Sequence, residues 1–218
     1  PIDSEAPEGR MILPQQMAIR DVLDNNCTCI VLKETELQHF LKTSCIKPAL
    51  VVTDSQAFGT VKEIVPEDIP LTSFSIIFSR LKGDFENYVN GTQTISQLND
   101  GDRILILESC THHVSCDDIG RVKIPMWLSK FTRKKLYFTT VSGLDALPEN
   151  FKDYKLVIQC GGCMVTRKQI LNRLKPFTEN SVSITNYGMA IAYMNGIFTR
   201  ALQPFFKTLD HSLPQNSE

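Results

Sequence analysis

Residues 154–174 read YKLVIQCGGCMVTRKQILNRL, an apolar run that passes into a Cys-Gly-Gly-Cys sequence and then into a segment with helical period. The run over residues 154–159 predicts a β-strand, and residues 166–174 predict a helix. Strands that alternate with helices pair in parallel through crossover connections, so Cys160 and Cys163 are expected at the carboxyl edge of a parallel sheet. Ligands collect at that edge in open α/β sheets.

The same alternation of strand and helix patterns extends over most of the chain. The further predicted strands are residues 27–33, 49–54, 71–80, 103–109, 135–141 and 181–186. The further predicted helices are residues 15–26, 35–44, 55–65, 84–98, 125–131 and 187–206. The turn sequence NDGD at residues 99–102 predicts a domain boundary.

We therefore predict an α/β protein of two small domains, each a mainly parallel β-sheet flanked by helices. The domains are residues 15–99 and 100–207, with a linker over residues 1–14 and a tail over residues 208–218. In the first domain the sequence FSIIF at residues 74–78 predicts a buried strand. An open edge of such a short sheet can pair with a second copy of the chain.

The overall composition excludes several classes of function. The chain has 218 residues, 42% of them hydrophobic, and a formal net charge of -1, so no basic field is present to gather nucleic acid. No apolar stretch reaches the roughly twenty residues that cross a bilayer, and the first residues lack a secretion-signal pattern. The odd number of cysteines, seven, favours a reducing compartment. We expect a cytoplasmic protein.

A third cysteine, Cys110, follows directly after the predicted strand 103–109 and precedes His112. Its thiolate can therefore meet those of Cys160 and Cys163 at one edge of the sheet. Two cysteines separated by two residues can bind one metal centre, and a third at a neighbouring strand end completes the site. Iron and sulfide are the favoured occupant. A structural zinc site and a thioredoxin-like dithiol remain open, although a Gly-Gly pair between the thiols is atypical of the dithiol.

The remaining cysteines have a different interpretation. Cys27, Cys29 and Cys45 are expected to pack as small buried hydrophobic side chains. Cys116 lies in a loop with His113 and is a possible spare ligand.

Five segments together resemble the HydF family, the scaffold of FeFe-hydrogenase maturation. They are Cys110-Thr-His-His113, residues 117–125 (DDIGRVKIP), residues 159–164 (QCGGCM), residues 186–190 (NYGMA) and residues 9–16 (GRMILPQQ). Neither the Cys-x-His motif nor the Cys-x-x-Cys motif identifies the family alone, but the two motifs together are specific to it. The resemblance extends over nearly the whole chain.

Two departures from the family pattern are visible. Gln159 occupies the position where the family usually has a histidine, so this position offers no imidazole. No Gly-x-x-x-x-Gly-Lys-Ser/Thr phosphate loop occurs, so the resemblance implies a chain without the family's GTPase domain and without enzymatic activity of its own.

The resemblance also implies a dimerisation domain over residues 15–99 and an iron-sulfur domain over residues 100–207. A 4Fe-4S cluster is implied on Cys110, Cys160 and Cys163, with an exchangeable fourth position.

The possible fourth ligands are His112, Asp117, Asp118 or solvent. The family carries a diiron precursor with CO and cyanide ligands and delivers it to apo FeFe-hydrogenase. The implied partners are a second copy of the chain, that hydrogenase, and the radical-SAM maturases HydE and HydG, with no nucleic acid and no membrane.

Four cations flank the cysteines and could hold an anionic precursor: Arg121, Lys123, Arg167 and Lys168.

Overall fold

The computed structural model describes Ile2 and residues 9–109, 118–143 and 145–206. Over this part of the chain it contains two parallel β-sheets. The first is formed by β1 (Val51–Thr53) and β2 (Leu71–Ser73). The second has the strand order β4-β3-β5-β6, formed by β3 (Arg103–Leu107), β4 (Tyr137–Val141), β5 (Tyr154–Gln159) and β6 (Ser183–Asn186). Helices flank both sheets, and the predicted α/β class is confirmed.

Most of the predicted helices are present near their expected positions. The helices of the described chain are α1 (Leu13–Asp24), α2 (Glu34–Thr43), α3 (Phe58–Ile64), α4 (Phe74–Lys82), α5 (Phe85–Thr92), α6 (Ile124–Thr132), α7 (Arg167–Glu179), α8 (Tyr187–Met194) and α9 (Phe198–Phe206), and of these α4 was not predicted as a helix. The single helix predicted over residues 187–206 is divided into α8 and α9. Gly196 adopts a φ of 71° between them, a left-handed conformation that ends helices.

The strand predicted over residues 71–80 is wrong beyond Ser73. There the Oγ of Ser73 accepts a hydrogen bond from the backbone N–H of Ile76, which caps the start of α4. Phe74, Ile76 and Phe78 are all buried, because α4 packs between other helices on more than one side. A helix that is buried all round carries the same continuous apolar run as a buried strand.

The strand predicted over residues 27–33 is also wrong. In the described chain only Lys33 of this segment forms a β-bridge, to Ile2. The prediction that Cys27, Cys29 and Cys45 are buried fails with it, because Cys27 and Cys45 are exposed and Cys29 is half-buried. β-branched residues favour a strand only where a neighbouring strand pairs with them.

One continuous apolar core joins the two sheets. The central strand β3 is buried on both faces, as expected for a parallel sheet covered by helices. Helix α5 packs on β6, where Gly91 lies against the Ile184 backbone so closely that a Cβ would overlap the Ile184 carbonyl. The hydroxyls of Thr92 and Thr185 lie 2.6 Å apart in the same contact. None of the described helices has the length and apolar character needed to span a membrane.

Candidate metal centre

The loop after β5, residues 160–165, carries two of the predicted ligands, and we refer to it as the cysteine loop. The backbone N–H of Cys160 donates to the carbonyl of Leu107 at 2.9 Å, which continues the pairing of β5 with β3 by one residue. The backbone N–H of Ser109 donates to the Sγ of Cys160 at 3.0 Å. These two bonds hold the Cys160 thiol against the carboxyl end of β3, at the sheet edge that the sequence predicted.

Gln159 lies directly beneath this thiol and is only 1% exposed. Its Nε2 donates to the Oγ of Ser109 at 2.8 Å and to the carbonyl oxygen of Cys160 at 3.1 Å, and lies 3.5 Å from the Sγ of Cys160. Its Oε1 is buried and has no hydrogen-bond partner among the described residues. The Gln159 side chain therefore supports Cys160 from within the sheet edge.

Gly162 shapes the turn of the cysteine loop. Gly162 adopts a φ of 62°, and a Cβ at this position would lie 2.5 Å from the Cδ1 of Ile170. Only glycine fits such a left-handed turn against a packed side chain. The turn brings Cys163, which is half-buried, near enough for its charge to act on Cys160.

Burial raises the pKa of the Cys160 thiol above its usual value. The hydrogen bonds from Ser109 and from the Gly162 backbone act in the opposite direction, while the charge of Cys163 raises the pKa further. Without a cation the thiol is therefore neutral at pH 7. A metal or metallocluster would supply the positive charge that favours the thiolate.

Arg173 of α7 provides a fixed positive charge behind the cysteine loop. Its Nη1 donates to the carbonyls of Glu108, at 2.7 Å, and Gly143, and its Nη2 donates to the carbonyl of Val141 at 3.2 Å. Burial lowers the pKa of Arg173, and the Cys160 charge opposes that shift. An arginine stays protonated under such conditions. The guanidinium thus ties together the ends of β3 and β4 and is electrostatically coupled to Cys160.

Sequence reasoning missed Arg173, although a signal for it was present. The buried positions of α7 are Ile170, Arg173, Leu174 and Phe177, which form one helical face. A cation on the apolar face of an amphipathic helix is rare unless it has buried partners.

Asp118 and Arg121 form a turn that is tied to the end of β3. The Oδ1 of Asp118 accepts the backbone N–H of Arg121 at 2.7 Å. The Nη2 of Arg121 lies 3.0 Å from the Oε2 of Glu108, and this carboxylate also accepts the Ser142 hydroxyl at 2.9 Å. The Glu108 carboxylate raises the pKa of Arg121. Arg121 is therefore engaged in an ion pair, and Lys123 donates to the Oε1 of Gln56 at 2.8 Å.

The structure brings together only part of the predicted ligand set. Cys160 and Cys163 share the cysteine loop, whereas Cys110, His112 and Asp117 lie outside the described residues. Cys116 and His113 do so as well. Within the described residues, no group of three or more His, Cys, Asp and Glu side chains is placed to hold a metal ion. Cys110 and His112 as ligands stay predictions.

Comparison with known families accounts for nearly the whole chain. The dimerization domain of hydrogen maturase F matches residues 1–83, and its tetramerization domain matches residues 86–204. The chain belongs to the hydrogen maturase F family. The resemblance inferred from the cysteine motifs is confirmed, and the matched ranges meet where α4 ends and α5 begins. Both matched domains of hydrogen maturase F are oligomerisation domains, and neither is a GTPase domain. No curated protein matches the chain.

Proposed function

We propose that this chain is a scaffold of hydrogenase maturation that binds a 4Fe-4S cluster through Cys110, Cys160 and Cys163. One observation carries the proposal: the Ser109 backbone N–H donates to the Sγ of Cys160. Ser109 directly precedes Cys110 in the sequence, so the described residue before the third proposed ligand already contacts the thiol of Cys160.

The donor chemistry of the described residues fits an iron-sulfur cluster. Thiolates are its usual protein ligands, and hydrogen bonds to their sulfurs tune its potential. Here the Cys160 sulfur has the Ser109 N–H at 3.0 Å and the Gln159 Nε2 at 3.5 Å. The buried Arg173 offsets part of the negative charge of such a group. When bound, the cluster would supply an iron with an exchangeable position for the precursor.

Three cysteines leave one position of the cluster for another ligand. We propose His112, Asp117, Asp118 or solvent in that position. Gln159 offers no imidazole for that position, and its Nε2 donates to Ser109 and to the backbone of Cys160. In this proposal the chain holds a diiron precursor with CO and cyanide ligands and transfers it to apo FeFe-hydrogenase, after HydE and HydG have acted. In this role the chain carries the precursor and catalyses no reaction itself.

Assembly with a second copy is part of the same proposal. Apolar side chains are exposed along the segment that matches the dimerization domain, at Leu23, Ile30, Val31, Ile46 and Leu50. Within the described chain, β1 pairs only with β2, so its other edge is open to a further strand. We also propose a cytoplasmic location, since none of the five described cysteines forms a disulfide.

A structural zinc site is the second candidate, because the same thiolates satisfy zinc. The dithiol oxidoreductase has less support: a reactive dithiol needs a depressed thiolate pKa, whereas burial raises the pKa of Cys160.

The test is anaerobic reconstitution with iron and sulfide, followed by elemental analysis and electron paramagnetic resonance of the dithionite-reduced protein. We expect an S = 1/2 signal that shifts when imidazole or cyanide is added, because the fourth position exchanges its ligand. If zinc is found in place of iron and no such signal appears, the centre is a structural zinc site.

A further inference from the structure

Helix α4 lies along the cysteine loop and contacts it near both ends of the helix. At its last residue, the Nζ of Lys82 donates to the carbonyl of Cys163 at 3.1 Å and to the carbonyl of Val165 at 3.3 Å. Near its start, Ser75 faces Gly161, since a Cβ on Gly161 would lie 3.9 Å from the Oγ of Ser75. The cysteine loop therefore rests on a helix that is distant from it in sequence.

The start of α4 is itself fixed to the end of β6, the strand that pairs with β5, and to the start of α8. The Nδ2 of Asn186 donates to the carbonyl of Ser75 at 2.9 Å, and the backbone N–H of Gly188 donates to the Ser75 Oγ at 3.1 Å. A Cβ on Gly188 would lie 2.7 Å from the Cβ of Ser75, so the close approach needs glycine. These contacts keep α4 from sliding along the loop.

The two cysteines are held in different ways. Cys160 is fixed by β3 through the Leu107 and Ser109 hydrogen bonds. Cys163 lies beyond two glycines, whose backbone freedom removes the restraint of the strand. On its far side α7 begins at the Thr166 cap, where Thr166 and Gln169 bond each other. Between the glycines and this cap, Lys82 supplies a side-chain donor to the loop backbone.

We propose that Lys82 is a positioning residue for Cys163, so that the dimerization domain forms part of the metal centre of the tetramerization domain. Lys82 lies in the segment that matches the first domain, and Cys163 lies in the segment that matches the second. Its ammonium holds the two loop carbonyls by charge-assisted hydrogen bonds, which are stronger than neutral ones. A shift of α4 therefore moves Cys163 relative to Cys160. This inference rests on the proposed function of the site.

The variant Lys82→Met keeps the length and apolar stem of the side chain but removes the donor. Lys62→Met is the matched control, because the Nζ of Lys62 donates to the carbonyl of Asn195 at 2.9 Å and so makes the same kind of contact, from α3 to the end of α8. Lys82→Arg retains a cationic donor and should rescue the effect.

The first measurement is hydrogen exchange of the full chain without metal. We expect faster exchange of the backbone amides at residues 163–166 in Lys82→Met than in the wild type, and unchanged exchange there in Lys62→Met. The second is the rate at which a chelator removes the reconstituted cluster. We expect this rate to be at least about tenfold higher in Lys82→Met, since the loss of one charge-assisted hydrogen bond already corresponds to that factor and the variant loses two. Lys82→Arg should stay near the wild type in both.

The outcomes separate the two proposals. If the wild type takes up no cluster, the scaffold function fails, while the exchange data still decide whether Lys82 holds the loop. If the wild type takes up the cluster and Lys82→Met matches it in both measurements, the positioning role of Lys82 is overturned and the scaffold function stands. An equal effect of Lys62→Met would also overturn it, since the cause would then be a general loosening between α3, α4 and the second sheet.

Discussion

The backbone N–H of Ser109 donates a hydrogen bond of 3.0 Å to the Sγ of Cys160. This bond connects the ends of two neighbouring parallel strands, β3 and β5, through a sulfur atom in place of a carbonyl. It places the Cys160 thiol at the start of the segment that carries Cys110. The sheet edge is therefore arranged around a sulfur that accepts hydrogen bonds, which is the arrangement that stabilises a thiolate ligand.

Replacing Cys160 by serine should abolish the cluster. A serine hydroxyl is a much poorer ligand for iron than a thiolate, and Cys160 is the cysteine that the strand ends hold most firmly. We expect iron and sulfide per chain to fall to a small fraction of the wild-type value after anaerobic reconstitution, measured by elemental analysis. Cys27→Ser, at an exposed site, should keep the full content. A full cluster in Cys160→Ser would show that the ligand assignment is wrong.

Replacing Gln159 by leucine should lower the reduction potential of the reconstituted cluster. The variant removes the Nε2 that lies 3.5 Å from the Cys160 sulfur, and a donor near that sulfur stabilises the more negative, reduced state. A shift of about 60 mV corresponds to a tenfold change in a one-electron equilibrium. Redox titration followed by electron paramagnetic resonance measures it, with the exposed Gln93→Leu as the control. An unchanged reduction potential would mean that Gln159 packs at this site but does not tune the cluster.

The metal-free Cys160 thiol should react slowly with iodoacetamide at pH 7. Burial raises the pKa of Cys160, so little thiolate is present. Mass spectrometry of the alkylated peptides should find the exposed Cys27 modified well before Cys160. If Cys160 is modified first at pH 7, a dithiol oxidoreductase becomes a better-supported function than a metal scaffold.

The raised pKa of Cys160 also determines how the free energy of unfolding of the metal-free chain varies with pH. The neutral thiol contributes stability that is fully present below the ordinary thiol pKa and is lost as the pH rises through the folded pKa of Cys160. The alkylation rate of Cys160 in the metal-free chain should rise over the same alkaline range.

Replacing Arg173 by methionine should destabilise the fold by about 3 kcal/mol. The variant leaves the carbonyls of Glu108, Gly143 and Val141 without the donor that joins β3 to β4. Urea unfolding measures the change in the free energy of unfolding. Arg20→Met removes an exposed arginine that pairs with Asp24 and should cost at most about 0.5 kcal/mol. A loss at Arg173 no larger than that would contradict a structural role for the buried guanidinium.

Gly91→Ala should destabilise the contact between α5 and β6 by about 2 kcal/mol or more, because the added Cβ would overlap the Ile184 carbonyl. Helix propensity alone predicts the opposite sign, since alanine is the better helix former. Gly59→Ala in α3 is the matched control: its Cβ would have 3.4 Å to the Asn195 Oδ1, so propensity should dominate there. Thermal unfolding of the two variants should therefore shift in opposite directions. A stabilised Gly91→Ala would mean that α5 can move away from β6.

The strand and helix around the cysteine loop were predictable because local pattern and structure agree there. The apolar run over residues 154–159 coincides with β5, and the Thr166 to Gln169 cap begins α7 as its sequence indicates. The two failures have a common cause. Periodicity reports how apolar a segment is but not what surrounds it, so it predicts a strand both for α4 and for the unpaired residues 27–33.

The sequence by itself determined the α/β class, the family, and the position of Cys160 and Cys163 after a parallel strand, since these depend on short-range pattern and motif spacing. Only the tertiary structure decided that Gln159 donates to Ser109, that Arg173 joins two strand ends, and that Lys82 holds the loop of Cys163. The residues in these contacts are separated by 30 to 83 positions. Such contacts arise from the packing of whole elements, which no local sequence pattern specifies.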